Sequence, residues 1–353
     1  MNGLIIAAVG VLFLVLMALI YRVFMLVRVA KDVKEPNARD SKVGMSNKVN
    51  SILFIVFFFV LFASIFAYGF SAKLKYILPE ASSIHGVEID FLFWLTTAVV
   101  FFVFLLTHIL LFFFPYMYRY KEHKRATFIP HNNQLEIAWT IVPAIVLSGL
   151  VVTGWTVWSD ITSPAPKEAL HIEVMGHQFA WKVRYGGKDG QIGKFNYMKI
   201  DPTNQVGMDF EADESNYDDF MYNELRLPQG RPVLLKIRSR DVLHSVFLPH
   251  FRVKMDAVPG MPTQFWFTPT KTAEEVKEEL KEKGDPNWDA FEYKLACTEI
   301  CGGSHFAMFL KVSVLKEAEF NEWYNSEEAW AAKNVDYLKE QGIKNIPSNL
   351  ASK

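Results

Sequence analysis

Both cysteines of this 353-residue chain lie in one short segment near the C-terminus. Cys297 and Cys301 are four residues apart, and His305 and Met308 follow within the next seven. Thiolate, imidazole and thioether groups are soft or borderline ligands, and together they suit copper. A second thiolate would allow two sulfurs to bridge two copper ions and spread one electron over both. The spacing therefore predicts an electron-transfer copper site.

Two other uses of the cysteines compete with copper. In an oxidising compartment two cysteines usually form a disulfide, although a bridge across four residues would be strained. Zinc is a weaker alternative, because methionine is a poor zinc ligand. His305 and Met308, at loop spacing after the cysteines, favour copper over both alternatives.

A further histidine ligand has to come from a distant part of the chain. His244 follows the run 233–237, whose apolar residues and single polar break predict a strand. His250 lies six residues later, and His171 and His177 are further candidates. Spacing alone does not choose between His244 and His250.

The pattern C-x-E-x-C-x3-H-x2-M, from Cys297 to Met308, resembles that of subunit II of cytochrome c oxidase, in the haem–copper oxidase superfamily. Further blocks occur in the same order as in that family. The resemblance implies a dinuclear copper centre, with Glu299 as a ligand through its backbone carbonyl. The blocks are Glu136–Ala144, Met175–Gln178, Ser239–Ser245 and Lys254–Gly260, and the implied copper ligands are His244, Cys297, Glu299, Cys301, His305 and Met308.

The resemblance also implies a function and partners. Subunit II accepts electrons from cytochrome c and passes them to haem in subunit I, where oxygen is reduced to water and protons are pumped. The chain would thus carry electron transfer within an oxidoreductase complex of subunits I and III in lipid, with no nucleic acid. It has no C-x-x-C-H haem motif. The Glu299 carboxylate would bind magnesium shared with subunit I, and Glu136 would lie at a proton pathway entrance.

The predicted point of electron entry departs from the family pattern. Family members have a tryptophan directly after Met-Gly-His-Gln, whereas this chain has Phe179, then Ala180, then Trp181. Phenylalanine is harder to oxidise than tryptophan. We therefore expect entry through Phe179 or Trp181, from a cytochrome c or from a tethered cytochrome c domain of a partner complex.

Acidic residues cluster in one stretch of the C-terminal half. The residues after position 158 carry 24 basic and 30 acidic side chains, whereas those before carry 13 and 8. An acidic patch would steer a basic electron donor, although most such runs are simply solvated loops. The candidate docking residues are Asp209, Glu211, Asp213, Glu214, Asp218, Asp219 and Asp241.

Four apolar runs are long enough to cross a bilayer. The first and third connections between them hold most of the basic residues, which places these connections in the cytoplasm. The first run lacks the basic start and the small-residue cleavage site of a signal peptide, so we predict a spanning helix. The sequence thus predicts a multi-pass protein of the bacterial inner membrane with a periplasmic copper domain. The runs are Leu4–Val27, Ile52–Phe70, Phe91–Phe114 and Ile137–Trp158.

The remaining chain is predicted to fold as an all-β cupredoxin-like Greek-key sandwich. Two additional helices occupy 1–90, the family's helical hairpin 91–158, the copper domain 159–315 and a helical tail 316–353. Inserts are expected at 189–229 and 270–290, the second containing a charged helix. The predicted strands are Leu170–Val174, Ala180–Tyr185, Pro232–Ile237, Gln264–Thr268, Tyr293–Ala296 and Met308–Leu315.

Three other functions have to be weighed against this one. A quinol oxidase subunit II has the same fold but lacks the copper ligands. A nitrous oxide reductase, a related terminal reductase, has the copper site but not the membrane helices. A membrane-anchored structural protein with a Cys297–Cys301 disulfide would have no redox role. The complete ligand set favours the cytochrome c oxidase.

Overall fold

The computed structural model describes residues 39–69, 78–121 and 124–348, together with isolated residues between 15 and 26. The first predicted membrane run, Leu4–Val27, lies outside these ranges. Within them, three helices are long and apolar enough to span a bilayer: α1 (Arg39–Gly69), α2 (Ile84–Met117) and α3 (Asn133–Ile161). They contain the second, third and fourth predicted runs.

Helix α2 begins earlier than hydropathy indicated. The predicted run started at Phe91, but the helix starts at Ile84. The hydroxyl of Ser83 accepts a hydrogen bond from Gly86 N at 3.0 Å, as an N-cap residue does. The first turns of the helix include polar residues such as Asp90, so hydropathy does not include these turns in the apolar run. The predicted domain boundary at residue 90 therefore falls inside a helix.

Phenylalanines pack α1 against the later part of α2. Phe58 and Phe62 of α1 are buried together with Phe112 of α2. The ring centroids of Phe62 and Phe104 lie 5.6 Å apart, and the Nδ1 atom of His108 lies 2.7 Å from the carbonyl oxygen of Phe104. Helix α1, which the sequence predicts as an addition to the family's helical hairpin, therefore has a specific packing partner in the later part of α2.

In the described part of the chain, ten strands form two five-stranded sheets in the order β3-β2-β1-β5-β8 and β4-β10-β9-β6-β7. All six predicted strands are present. Four others were not predicted: two short ones inside the expected insert 189–229, and the pair that begins at His244. The strands are β1 (Leu170–His177), β2 (Ala180–Tyr185), β3 (Phe220–Tyr222), β4 (Leu225–Pro228), β5 (Val233–Ser239), β6 (His244–Leu248), β7 (Val253–Ala257), β8 (Thr263–Phe267), β9 (Tyr293–Cys297) and β10 (Phe309–Leu315).

Side chains alternate across these strands, so that one face of each sheet fills a shared core. Ile172 and Val174 on β1, Val183 on β2 and Leu235 on β5 are fully buried there. The opposite face of the first sheet carries Glu173, Arg184 and Arg238, also buried. Two faces of one sheet therefore differ in chemistry, one being apolar and the other ionic.

The ionic face is covered by the insert and by the C-terminal tail. The tail consists of helices α5 (Glu317–Ser326), α6 (Trp330–Lys333) and α7 (Val335–Glu340). Helix α4 (Ala273–Glu282), which precedes the tail, is the predicted charged helix. Trp330 and Leu338 of the tail pack with Met208 and Phe210 of the insert in a second apolar cluster. Strands β3 and β4 pair with β2 and β10, so the true insert ends before Phe220.

The segment before α2 is bonded to the sandwich. Ser82 N donates to His250 O at 2.7 Å, and Ser83 Oγ donates to Phe251 O at 2.7 Å. Arg252 Nε and Nη2 donate to the carboxylate of Asp90 in α2 at 2.7 and 2.8 Å. Such a bidentate contact fixes orientation as well as distance. The start of α2 is therefore held directly on the domain that carries the cysteines.

Candidate metal centre

The cysteine loop, residues 297–308, is closed at its base by paired strands. Strand β9 ends at Cys297 and β10 begins at Phe309, one residue after Met308. Cys297 N donates to Met308 O at 3.1 Å, which joins the two ends of the loop. Val246 of β6 pairs with Cys297, so His244 at the start of β6 lies at the same end of the sheet. Three strands thus deliver His244, both cysteines and Met308 to one place.

The sulfur and nitrogen atoms of this group lie at similar distances from one another. The Sγ atoms of Cys297 and Cys301 are 3.9 Å apart, and both cysteines are free thiols. Cys297 Sγ lies 3.8 Å from His244 Nδ1. Cys301 Sγ lies 3.6 Å from His305 Nδ1 and 3.8 Å from Met308 Sδ.

These distances suit atoms that share metal ions. Two ligands at bond lengths of about 2.0 and 2.3 Å, arranged tetrahedrally around one metal, are about 3.5 Å apart. The ligand atoms of His244, Cys297 and Cys301 all lie within 4.8 Å of one another. The residue types are those that copper prefers. The residues present therefore fit a copper centre.

Burial favours the neutral form of the Cys301 thiol. Burial and, to a smaller extent, the neighbouring Cys297 sulfur raise the pKa of the Cys301 thiol to about 11. His244 is fully buried, Cys301 is 3% exposed and Met308 is 1% exposed. A buried thiol stays neutral until a metal displaces its proton. The site can therefore remain buried without a compensating charge.

Asp241 orients the distant histidine. Its Oδ1 atom lies 2.9 Å from His244 Nε2, and its Oδ2 atom accepts a hydrogen bond from Gln178 N at 2.7 Å. Burial alone would raise the pKa of Asp241, but the Gln178 N–H and the His244 ring outweigh it and lower that pKa. An ionised Asp241 favours a proton on Nε2, which leaves the Nδ1 lone pair facing Cys297. The sequence predicts a docking role for Asp241 and does not reveal this contact.

The backbone of Glu299 also reaches the group. Its carbonyl oxygen accepts from Cys297 Sγ at 3.3 Å, where the resemblance predicted a ligand. The Glu299 side chain is half-buried. Its assignment to magnesium remains a prediction.

Two residues that the sequence analysis did not select support the loop from outside. Gln178 Nε2 donates to Cys301 O at 2.5 Å. Gly302 has a φ of 131°, and a Cβ atom there would lie 2.9 Å from both Gln178 Nε2 and the ring of Phe179. The glycine is therefore required both by its backbone conformation and by the close approach of the 178–179 turn. The Met-Gly-His-Gln motif, which contains Gln178, is the feature of the sequence that could have indicated this contact.

The two aromatic candidates for electron entry lie in different environments. Phe179 is 38% exposed and its ring lies against Gly302 of the loop. Trp181 is 5% exposed, with its ring centroid 5.9 Å from that of His244. Phe179 therefore lies between solvent and the cysteine loop, whereas Trp181 is internal.

The other candidate histidines lie away from the sulfurs. His250 packs between the rings of Phe291 and Tyr293, and burial beside Arg252 lowers its pKa to about 4. His171 and His177 are on β1, and neither belongs to the potential metal group found among the described residues. The geometry therefore supports His244 as the ligand from a distant strand.

The acidic cluster does not form a surface patch, so the docking prediction is wrong for its buried members. Asp219 is fully buried against Arg184, and Asp209 is 8% exposed and paired with Lys199 at 2.7 Å. Asp213 and Asp218 are half-buried and accept backbone hydrogen bonds from Lys194 and Asp189. Only Glu211 and Glu214 are exposed. The carboxylates in this stretch mainly hold the insert together.

Glu136 lies in the first turn of α3 and is exposed. Its Oε1 atom accepts from Asn132 N at 3.4 Å, as in a helix cap. Its predicted place at a proton pathway remains a prediction.

Two family models match the chain. One describes the transmembrane domain of cytochrome c oxidase subunit II and matches residues 71–156; the other describes the periplasmic domain of that subunit and matches residues 170–275. The second match ends before the cysteine loop. The assignment of the loop residues therefore depends on their own pattern and geometry.

Curated proteins that are similar to the chain carry the same family name. It is 31% identical to the alternative cytochrome c oxidase subunit 2 of Bradyrhizobium diazoefficiens over 69% of this chain and 80% of that protein. It is 28% identical to a probable cytochrome c oxidase subunit 2 of Rickettsia bellii over 82% and 95% of the two chains. A crystal structure of the periplasmic domain of subunit II from Bradyrhizobium japonicum aligns with a TM-score of 0.31 and 24% identity, covering 46% of this chain and 96% of that one.

Proposed function

The chain belongs to the cytochrome c oxidase subunit II family, and we propose that it receives electrons from a cytochrome c at a dinuclear copper centre and delivers them to haem in subunit I. It is a membrane protein with a periplasmic β-sandwich domain, and it works within an oxidoreductase complex. The observation that carries the proposal is the group of thiol, imidazole and thioether atoms spaced 3.6–3.9 Å apart.

The proposed copper ligands come from one loop and one strand. Cys297 and Cys301 would hold the copper ions through their sulfurs, together with the remaining ligands. When bound, the copper pair supplies one-electron exchange with little change in geometry. The remaining ligands are His244, the Glu299 carbonyl, His305 and Met308.

The chain's own residues keep this site dry and rigid. Strands β6, β9 and β10 fix the backbone on either side of the loop, and Cys297, Cys301 and Met308 are at most 8% exposed. Asp241 holds the His244 ring, and Gln178 holds the carbonyl of Cys301. A ligand set that is fixed before the metal binds needs little rearrangement when the charge changes.

Phe179 is the proposed point of electron entry. It is the more exposed of the two aromatic candidates and contacts the loop through Gly302. Trp181, buried beside His244, is placed to pack the ligand rather than to meet a partner. Exposed apolar side chains of the loop, Ile300 and Phe306, offer further contact area. Glu211 and Glu214 remain proposed docking acids for a basic donor.

Several finer assignments accompany this proposal. The Glu299 carboxylate would bind magnesium at the boundary with subunit I, and Glu136 would lie near a proton pathway. Subunit III would complete the core of the complex. With the run Leu4–Val27 as a fourth spanning helix, the protein would be multi-pass in the bacterial inner membrane.

Rapid mixing with an electron donor tests the function. The purified oxidase complex is mixed anaerobically with reduced cytochrome c, and the absorbance of the oxidised copper is followed. We expect fast bleaching that Phe179→Ala slows several-fold, while Phe195→Ala, a similarly exposed phenylalanine on the insert, leaves the rate unchanged. Bleaching by a quinol, with no response to cytochrome c, would contradict the proposal.

A further inference from the structure

A cavity of about 290 Å3 opens on the ionic face of the first sheet. Its floor is formed by side chains of β1, β2 and β5 that point away from the apolar core. Residues of the insert and the start of β8 form its walls. The volume is near the lower end for small-molecule sites. The lining residues that matter here are Glu173, Arg184, Lys194, Phe195, Lys236 and Arg238.

The buried charges of the floor are arranged around one carboxylate. Glu173 Oε1 accepts from Arg238 Nε at 2.6 Å, and its Oε2 atom lies 2.8 Å from Arg184 Nε. Burial would raise the pKa of Glu173, but the two guanidinium groups outweigh it and hold that pKa below its usual value. One carboxylate therefore balances two arginines.

A second acid behind Arg184 adds little negative charge at neutral pH. Asp219 lies 3.4 Å from Arg184, and its burial raises its pKa to about 8. Arg184 itself is fully buried, with further bonds to Asn216 and to the carbonyl of Gly193. A buried group with surplus positive charge is costly unless an anion compensates it.

Arg238 lines this cavity and has donors that are not used within the ionic face. Its Nε and Nη2 atoms donate to Glu173 and to the carbonyl of Val206, and its guanidinium carbon lies 4.1 Å from the centroid of the Phe195 ring. Its Nη1 atom has no hydrogen-bond acceptor in the described part of the chain. An arginine has five N–H donors, so two remain.

Two lysines add positive charge at the rim. Lys236 is half-buried on β5 and Lys194 is exposed on the insert. Neither forms an ion pair with a carboxylate within the ranges 39–69, 78–121 and 124–348. Positive charge from several directions in a partly enclosed space suits a ligand with several negatively charged oxygen atoms.

We propose that this cavity binds a small dianionic oxyanion of the phosphate class, held by Arg238, Lys236 and Lys194. The Nη1 atom of Arg238 supplies the directional hydrogen bonds, and the lysines supply charge. Phe195 and Glu173 hold the guanidinium in place. The site is separate from the cysteine loop and does not depend on the proposed electron transfer.

Calorimetric titration of the purified full-length chain in detergent tests the site. Sodium phosphate is the probe, with sodium sulfate and sodium acetate as comparisons, all at constant ionic strength set with sodium chloride. We expect saturable binding of phosphate and sulfate at one site and much weaker binding of acetate. Lys236→Gln and Lys194→Gln should together weaken phosphate binding by about tenfold or more, because each removes a charged donor.

Lys254→Gln is the matched control. Lys254 is an exposed lysine on β7 of the other sheet, so its substitution should leave phosphate binding unchanged. Circular dichroism of each variant verifies that the fold is intact. The proposal is overturned by heats no larger than those of isoionic chloride, by unchanged affinity in the double lysine variant, or by equal binding of acetate and phosphate.

Discussion

The cysteine loop and the ionic face of the first sheet both bury polar atoms, but they do so by opposite means. In the loop, the sulfurs of Cys297 and Cys301 lie 3.9 Å apart, and the nearby carboxylate of Asp241 contacts His244. On the ionic face, Glu173 is clamped between Arg184 and Arg238. Neutral thiol, imidazole and thioether groups can be buried without a counter-charge and can still bind a cation. Guanidinium and carboxylate groups have to be paired during folding.

This contrast separates function from stability. A substitution in the loop should remove metal binding while leaving the fold, because the strands that frame the loop are complete without it. A substitution on the ionic face should weaken the fold while leaving the metal centre, because the paired charges hold the insert on the sheet. Variants in each region can be scored for both properties.

The largest effect is expected for Cys301→Ser. Loss of one bridging sulfur removes the shared ligand, so bound copper should fall from about two ions per chain to one or none. Metal analysis and the visible spectrum measure this, and thermal unfolding should change little. Met308→Leu is the control, since a weak ligand tunes the metal: it should keep both ions and shift the reduction potential. Two ions retained in Cys301→Ser would contradict the bridging role.

Next in size is Glu173→Gln on the ionic face. The change leaves two buried arginines without their shared carboxylate, which costs about 3–5 kcal/mol in the free energy of unfolding. Thermal or denaturant unfolding in detergent gives the value, and the copper spectrum should stay the same. Glu292→Gln, at an exposed ion pair, should change stability by less than about 0.5 kcal/mol. Equal losses in both variants would remove the distinction between the regions.

Asp219→Asn addresses the pH dependence of the same face. Because burial raises the pKa of Asp219 to about 8, the folded chain holds this proton more tightly than the unfolded chain. Stability should therefore fall as pH rises, by about 2 kcal/mol between pH 6 and pH 8. The amide introduced by the substitution cannot titrate, so unfolding curves of that variant should lack this slope. Asp336→Asn, at a side chain 96% exposed, should retain it. An unchanged slope in Asp219→Asn would assign the dependence to another group.

The smallest of these effects is expected for Asp241→Asn, which tests whether a carboxylate beside the loop acts on the metal rather than on the fold. Loss of the charge that orients His244 should lower copper affinity by about tenfold, or about 1.4 kcal/mol. Competition with a copper chelator measures it, with Asp256→Asn on β7 as control. If Asp241→Asn keeps the wild-type copper affinity but is less stable, Asp241 acts on the fold, as the charges of the ionic face do.

The sequence predicted the elements whose signal is local. The six strands, the charged helix 273–282, three membrane helices and the cysteine loop all carry a period or spacing that can be read directly. Strand β6 was missed because it begins with the polar residues His244 and Ser245 and has only three apolar residues after them, although both polar residues are buried in the fold. The acids from Asp209 to Asp219 gave a misleading signal. Composition cannot show that Arg184, distant in sequence, meets Asp219 inside the protein.

Counting copper on this chain tests the central claim most directly. The full-length chain, purified in detergent and loaded with copper, is analysed for metal content and by electron paramagnetic resonance. We predict about two copper ions per chain and the hyperfine pattern of one unpaired electron shared equally by two copper nuclei. A chain that holds no copper and in which Cys297 is joined to Cys301 by a disulfide would contradict the account.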